Sequence, residues 1–391
     1  MKIIPRDAEA RFRRLLSSFP AVLVLGPRQC GKSTFVRECL PNWTLFDLER
    51  PADLALVQAD QEGFFDAHPR RIVIDEAQRL PSLFPTLRHA LDRNRRNGRI
   101  VLTGSASPDL VRAVSESLAG RIALLELAPF SSAELAGTRR SAQRWFWGGY
   151  PPVHAARSNA ARLDWLDAYV STFLERDLPA LGLRLPAARL RTLWTMLTHV
   201  HGNLLNASDL ARSLGVSSPT ITHYLDVLEG AYMIRRLPPF FANVQKRLTK
   251  SPKIYVRDSG LLHFLAGLRE PRDLDGWSRR GASFEGLVIE ELIARTLSRW
   301  VRPQIHYWRT RAGGEVDLLL GAGRRLMPVE IKLSTTVERR DLAGLRQCMK
   351  DLGLKRGFVI ANCAEPRDIG RDVRVIPWQH LAGGGEVAGL P

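Results

Sequence analysis

A three-domain α/β protein is what the sequence predicts, and three patterns in it carry that prediction. Short apolar runs at 21–25, 72–74 and 100–102 each lead into glycine, acidic or hydroxyl residues, as buried strands of a parallel sheet do. Two apolar-periodic helices around a glycine fill 208–228. Near the C-terminus two runs with alternating polar positions, 314–320 and 327–334, are joined by a short turn. The boundaries that follow are 1–140 for a phosphate-loop domain, 141–270 for a helical linker with a helix-turn-helix, and 271–391 for an α/β tail.

Bulk properties narrow the class. The 391 residues suffice for about two to three domains at roughly 150 residues each. Hydrophobic residues make up 45% and charged residues 25%, an ordinary globular balance, and no run approaches the roughly 18 apolar residues of a membrane span. Lys2, Arg6, Asp7, Arg11, Arg13 and Arg14 precede an apolar run too short for a signal-peptide core, and Cys30, Cys39, Cys348 and Cys363 form no C-x-x-C pair. A reducing cytoplasm, without zinc or disulfides, is the expected setting. Lys and Arg number 57 against 40 Asp and Glu, a net +17 that points to DNA as a partner or to a merely solvated basic surface.

The first run, Ala21 to Leu25, leads into Gly26-Pro27-Arg28-Gln29-Cys30-Gly31-Lys32-Ser33, then Thr34 to Leu40 as a helix. This fits G-x-x-x-x-G-K-[ST]: backbone N–H groups wrap phosphates, Lys32 reaches the β and γ groups of ATP, and Ser33 ligates Mg²⁺. The second run ends in Asp75 and Glu76, expected beside the metal and at the attacking water respectively. The third ends in Thr103-Gly104-Ser105-Ala106-Ser107, where Ser105 either senses the γ-phosphate or lytic water or simply caps a helix before Pro108. Arg121 is a candidate to stabilise transition-state charge in its own or a neighbouring subunit, the latter requiring a homo-oligomer; a surface arginine is the alternative. Cys30, inside the loop, is expected to react with alkylating agents and to be protected by ATP.

These phrases, together with Ile74-Asp75-Glu76-Ala77-Gln78, Glu116-Ser117-Leu118-Ala119-Gly120-Arg121, Gly148-Gly149-Tyr150-Pro151 and Thr172-Phe173-Leu174-Glu175-Arg176-Asp177, resemble a family of prokaryotic AAA+-superfamily ATPases. Its members carry a C-terminal domain of unknown function. The resemblance spans nearly the whole chain and implies ATP binding, with hydrolysis, in a three-layer α/β domain.

In the middle, Trp165, Tyr169 and Phe173 at four-residue spacing pack a core. Trp145, Trp147, His199 and His201 read as packing or solvated residues. Leu210 and Leu214 line one helix, Gly215 turns the chain, Ser217 or Ser218 caps the next helix, and Ile221, Leu225 and Leu228 line its inner face, leaving Thr220, Thr222 and His223 outward. From Arg235 to Arg257 there are seven Lys or Arg and no Asp or Glu, the composition of a basic wing. A winged helix that contacts DNA is expected here, with a protein-docking module as the other reading.

In the tail, Glu330 and Lys332 stand two apart on one strand face, beside Asp317 on the neighbouring strand. Asp317 and Glu330 would hold Mg²⁺ while Lys332 orients a nucleophile, unless the group is only a cross-strand ion pair. The pattern resembles the PD-(D/E)xK, restriction-endonuclease-like fold, which implies Glu285 as its helix carboxylate. The proline of that pattern is absent before Asp317, and Cys348 has no assigned task. Three functions compete: an ATPase coupled to DNA contact, a Mg²⁺-dependent nuclease gated by ATP, and a non-hydrolysing, ATP-locked switch that recognises a protein.

Overall fold

The computed structural model describes residues 3–105, 110, 114, 116–138, 140–183, 185–240, 251–386 and 390. The chain divides into two compact units, one of Lys2–Pro129 with Gly230–Tyr232, the other of Phe130–Glu229 with Met233–Pro391.

The first unit is built on five parallel strands, β1 (Ala21–Gly26), β2 (Thr44–Asp47), β3 (Ile72–Asp75), β4 (Ile100–Ser105) and β5 (Ile122–Glu126), in the order β2-β3-β4-β1-β5. The period of two sorts their side chains into two cores. Leu23, Ile74 and Leu102 pack with Phe65, Phe84 and Leu87 on one face. Val22, Val24, Val73 and Val101 pack with Phe12, Phe35 and Val36 on the other. That double burial explains why these strands read as unbroken apolar runs and gives the expected three-layer α/β core. The strand order reverses at β1, so the C-terminal ends of β1, β3 and β4 lie side by side at the topological switch point, the place where parallel α/β sheets bind ligands.

The second unit holds helices Ala187–His199, Ala207–Leu214 and Ser218–Gly230 and a two-stranded antiparallel ribbon, β6 (Ile234–Leu237) and β7 (Lys253–Val256). Leu210, Leu214, Ile221, Leu225 and Leu228 are buried, as the periodicity requires. Trp165, Tyr169, Phe173 and Trp194 form a run of ring contacts 5.1 to 6.5 Å apart between centroids. The unit also holds a six-stranded sheet ordered β12-β13-β11-β10-β9-β8, with β8 (Gln304–Arg309), β9 (Glu315–Ala322), β10 (Arg325–Lys332), β11 (Gly357–Ala361), β12 (Arg367–Ile369) and β13 (Val373–Pro377). One face of it packs against helix Arg280–Arg299 through Phe284, Leu287 and Val288. The other packs against helix Ala343–Leu352 through Leu345, Met349 and Cys348, which makes Cys348 a core residue. The segments expected as middle and C-terminal domains thus lie in one compact unit, tied by Phe240 N–H to Tyr307 O (2.7 Å) and Tyr307 N–H to Pro238 O (3.0 Å).

Candidate functional site

The phosphate loop grows out of β1 and ends in helix Lys32–Cys39. Gly26 is required by a close approach, since a Cβ there would lie 2.2 Å from the Leu127 carbonyl oxygen. Gly31 caps the helix at φ 98°, a left-handed conformation that disfavours other residues. Gln29 shares that region at φ 58°. Pro27 is buried, whereas Gln29 and Thr34 are exposed, and Arg28 pairs with Glu49 at 3.1 Å.

Lys32 is only 5% exposed. Its ammonium donates to the Gly26 and Pro27 carbonyl oxygens at 3.1 and 3.0 Å, and neither acceptor is an anion. A buried charge held only by neutral dipoles lacks its counter-ion, and a phosphate at the loop supplies one.

Asp75 lies at the end of β3, 4% exposed, and accepts the Thr103 hydroxyl from β4. Glu76 follows at φ 54°, which turns its side chain off the strand. Its backbone N–H donates to Thr103 Oγ1 at 3.3 Å, and its Oε2 accepts from Ser105 Oγ at 3.1 Å and from the Gln78 amide. The register explains the meeting: Ile74 stands beside Leu102 and Gly26 beside Ser105, so the three strand ends are level. Ser33 and Asp75 are the donors that suit a Mg²⁺, a hydroxyl and a carboxylate at the loop.

A second polar group lies in the other unit. The antiparallel register of β9 and β10 runs Pro328 with Leu319 and Val329 with Leu318, which carries Glu330 to Asp317. Ile331 N–H donates to Asp317 Oδ2 at 2.9 Å, and Lys332 Nζ to Glu330 Oε1 at 2.7 Å. The expected trio Asp317, Glu330 and Glu285 does converge, but an unexpected cation stands in it. Lys253 on β7, 3% exposed, lies 3.0 Å from Glu285, 2.5 Å from Glu315 and 3.3 Å from Asp317. The Tyr255 hydroxyl also donates to Glu285, at 2.5 Å. Burial by itself would lower the Lys253 pKa, but Glu285, Tyr255, Asp317 and Glu315 outweigh it and hold the ammonium well above the ordinary lysine range. Burial, then the charge of Asp317, raises both Glu285 and Glu330. Among the described residues no set of three or more His, Cys, Asp or Glu is arranged to hold a metal ion.

Comparison with known proteins sets these sites in a lineage. Residues 18–136 match the family described as AAA domain, 138–272 a domain of unknown function (DUF8612) and 280–381 a domain of unknown function (DUF4143). Uncharacterized protein Rv2008c of Mycobacterium tuberculosis is 44% identical over 365 residues, 92% of this chain and 80% of that protein. Uncharacterized protein MJ1544 of Methanocaldococcus jannaschii is 22% identical over 387 residues, 90% of this chain and 83% of that one. The chain belongs to the family of the mycobacterial protein, a prokaryotic AAA+ ATPase family with domains of unknown function. Among solved structures, the Walker-type ATPase of Pyrococcus abyssi has a TM-score of 0.47 at 16% identity, covering 67% of this chain and 96% of that one.

In this AAA+ chain several expectations need correction. Arg121 does not reach its own phosphate loop. Its carbonyl accepts from Ala21 N–H at 3.2 Å, at the start of β1, and Gly26 lies five residues on, about 17 Å at about 3.3 Å per residue. Its guanidinium is bidentate to Asp92, both contacts 2.8 Å. Cys30 is fully buried against the Leu127 carbonyl at 3.3 Å, and burial raises its thiol pKa, so the expected thiol reactivity is removed.

The basic segment is also neutralised more than its composition suggested. Arg235 and Arg257 both bond Glu290, which burial would raise but which Arg235 and Arg257 bring down to about 2. Arg236 pairs with Asp226 and Glu229, and Lys253 with the three acids above. All four described cations have carboxylate partners contributed from outside the segment. Residues 241–250 of the expected wing, and the helix start at 106–109, lie outside the described residues. Among the described residues no helix is long and apolar enough to cross a membrane.

Sequence reasoning missed Thr103, Gln78, Lys253 and Tyr255. Thr103 and Gln78 stood within quoted motifs, each two residues from a position singled out there, Ser105 and Glu76. Lys253 carried no local signal, because its acids lie 32 to 64 residues away.

Proposed function

We propose that this chain is a Mg²⁺-dependent ATPase whose nucleotide cycle is coupled to DNA through the second unit. The observation that carries the ATPase reading is the level meeting of three strand ends: the phosphate loop with Lys32 after β1, Asp75 and Glu76 at β3, and Thr103 and Ser105 at β4. Mg²⁺ bound by Ser33 and Asp75 would neutralise phosphate charge. Lys32 trades its two carbonyl contacts for phosphate oxygens. Glu76 orients the attacking water and takes its proton, while Ser105 and Gln78 fix the carboxylate. Arg121 is proposed to act on a neighbouring subunit's nucleotide, since within its own chain it stands at the far end of the sheet.

For the second unit the proposal is a winged helix followed by a restriction-endonuclease-like tail, with domain boundaries near 140 and 270. Three helices and the β6–β7 ribbon support the first, and exposed Thr222 and His223 on helix Ser218–Gly230 suit contact with bases or phosphates. Asp317, Glu330 and Lys332 on neighbouring strands support the second. The ion pairs that occupy Arg235, Arg236, Lys253 and Arg257 favour a further reading, in which the winged helix docks a protein. ATP hydrolysis measured with Mg²⁺, with and without duplex or single-stranded DNA at low and moderate salt, tests the coupling. Stimulated turnover is expected; equal rates overturn the DNA reading and leave the ATPase reading standing.

A further inference from the structure

We propose that the carboxylate cluster of the second unit is closed to divalent metals because Lys253 is its resident cation. The cluster then serves as a tie between β7, helix Arg280–Arg299 and the six-stranded sheet rather than as a metal-dependent hydrolytic centre.

Three observations carry the inference. The first is position. The Lys253 ammonium sits within 2.5 to 3.3 Å of Glu315, Glu285 and Asp317, the oxygens a metal would need. Mg²⁺ demands oxygens at about 2.0–2.1 Å in a near-octahedral set, so metal and ammonium cannot share those ligands. The second is charge. Glu285, Glu315, Asp317 and Glu330 face Lys253, Lys332 and Arg309, the last 2.7 Å from Glu315. Four acids against three bases leave at most one uncompensated negative charge, too little to draw a dication out of water.

The third is rigidity. Lys253 is fixed at its backbone by pairing with Leu237 in β6 and a bridge to Leu204. Its ammonium lies 5.9 Å from the centre of the Tyr307 ring, and the residue is 3% exposed. It is therefore built in, unlike a surface lysine that swings aside. Glu330 Oε2 is the cluster's one buried oxygen without a hydrogen-bond partner among the described residues, and one oxygen is not a chelating set.

The test is a Mn²⁺ titration of the nucleotide-free full chain at neutral pH, read as loss of the free-ion electron paramagnetic resonance signal. Wild type and Asp317→Asn are expected to bind the same amount of Mn²⁺. Lys253→Met, which removes the ammonium and keeps the stem, is expected to gain a site about tenfold or more tighter than any in wild type. Adding Asp317→Asn to that variant should abolish the gain. A wild-type site lost in Asp317→Asn would overturn the proposal, as would a folded Lys253→Met chain that gains none. If Lys253→Met does not fold, the wild-type and Asp317→Asn pair still decides. ATP turnover enters neither arm, so the result is independent of the nucleotide site.

Discussion

Two buried lysines, Lys32 in the phosphate loop and Lys253 in the second unit, are 5% and 3% exposed, and their surroundings are opposite. Lys32 is held by two carbonyl oxygens and faces no acid in its own loop. Lys253 is held by Glu285, Glu315 and Asp317. The same ammonium is therefore unbalanced in one place and satisfied in the other. An unbalanced buried cation is a binding site for an anion; a satisfied one is part of the structure. Motif shape alone does not separate the two, because both sites present acids and a lysine at plausible spacing.

The contrast is sharpest in turnover. Glu76→Gln keeps the loop and the Ser105 contact but removes the base, so steady-state ATP hydrolysis should fall by about a hundredfold or more while ATP binding persists. An unchanged rate would remove Glu76 from the chemistry.

Stability should separate the lysines in the other direction. Lys253→Met strands three carboxylates and should lower unfolding free energy by about 3–5 kcal/mol in urea titration, whereas Lys32→Met relieves an unpaired charge and should cost far less. Equal losses would erase the distinction. A stability loss for Lys253→Met that shrinks as pH falls and the acids protonate would sharpen it.

Acid should act on the second unit through its histidines. Burial holds His154 at about 4, His201 at about 3 and His263 at about 4, against about 6.5 when unfolded. These are depressed values, so their contribution is complete above pH 6.5 and is lost as pH falls toward 4 and below, because the unfolded chain takes up protons first. A urea midpoint for the second unit that stays level between pH 7 and pH 5 would contradict these burials. The smallest effect is at Cys30, where iodoacetamide should label Cys363, the partly exposed thiol, well before Cys30. Rapid labelling of Cys30 in the native chain would show that the loop opens.

What the sequence disclosed follows the same division between local and distant causes. The glycine, acid and hydroxyl at the ends of β1, β3 and β4 were legible because strand, turn and helix signals lie within a dozen residues of each other. Asp317 and Glu330 were legible because one tight hairpin fixes their register. Whether Arg121 faces its own loop was not legible, because the motif does not say at which end of the sheet it falls. The pairing of the segment's described cations was not legible, because Glu290, Asp226 and Glu285, which neutralise them, arrive from helices outside it. Choosing Ser105 over Thr103 needed the strand register, which sets Thr103 against Asp75 and leaves Ser105 to Glu76.

The loop of β1 is tested most directly as a Mg²⁺–triphosphate site by ATP affinity, measured by calorimetry for wild type and Lys32→Ala, with and without Mg²⁺. Wild type should bind ATP more tightly with Mg²⁺, and Lys32→Ala should lose about ten- to a hundredfold, the value of a charge-assisted bond. Equal affinity in the two proteins, or binding indifferent to Mg²⁺, would contradict it.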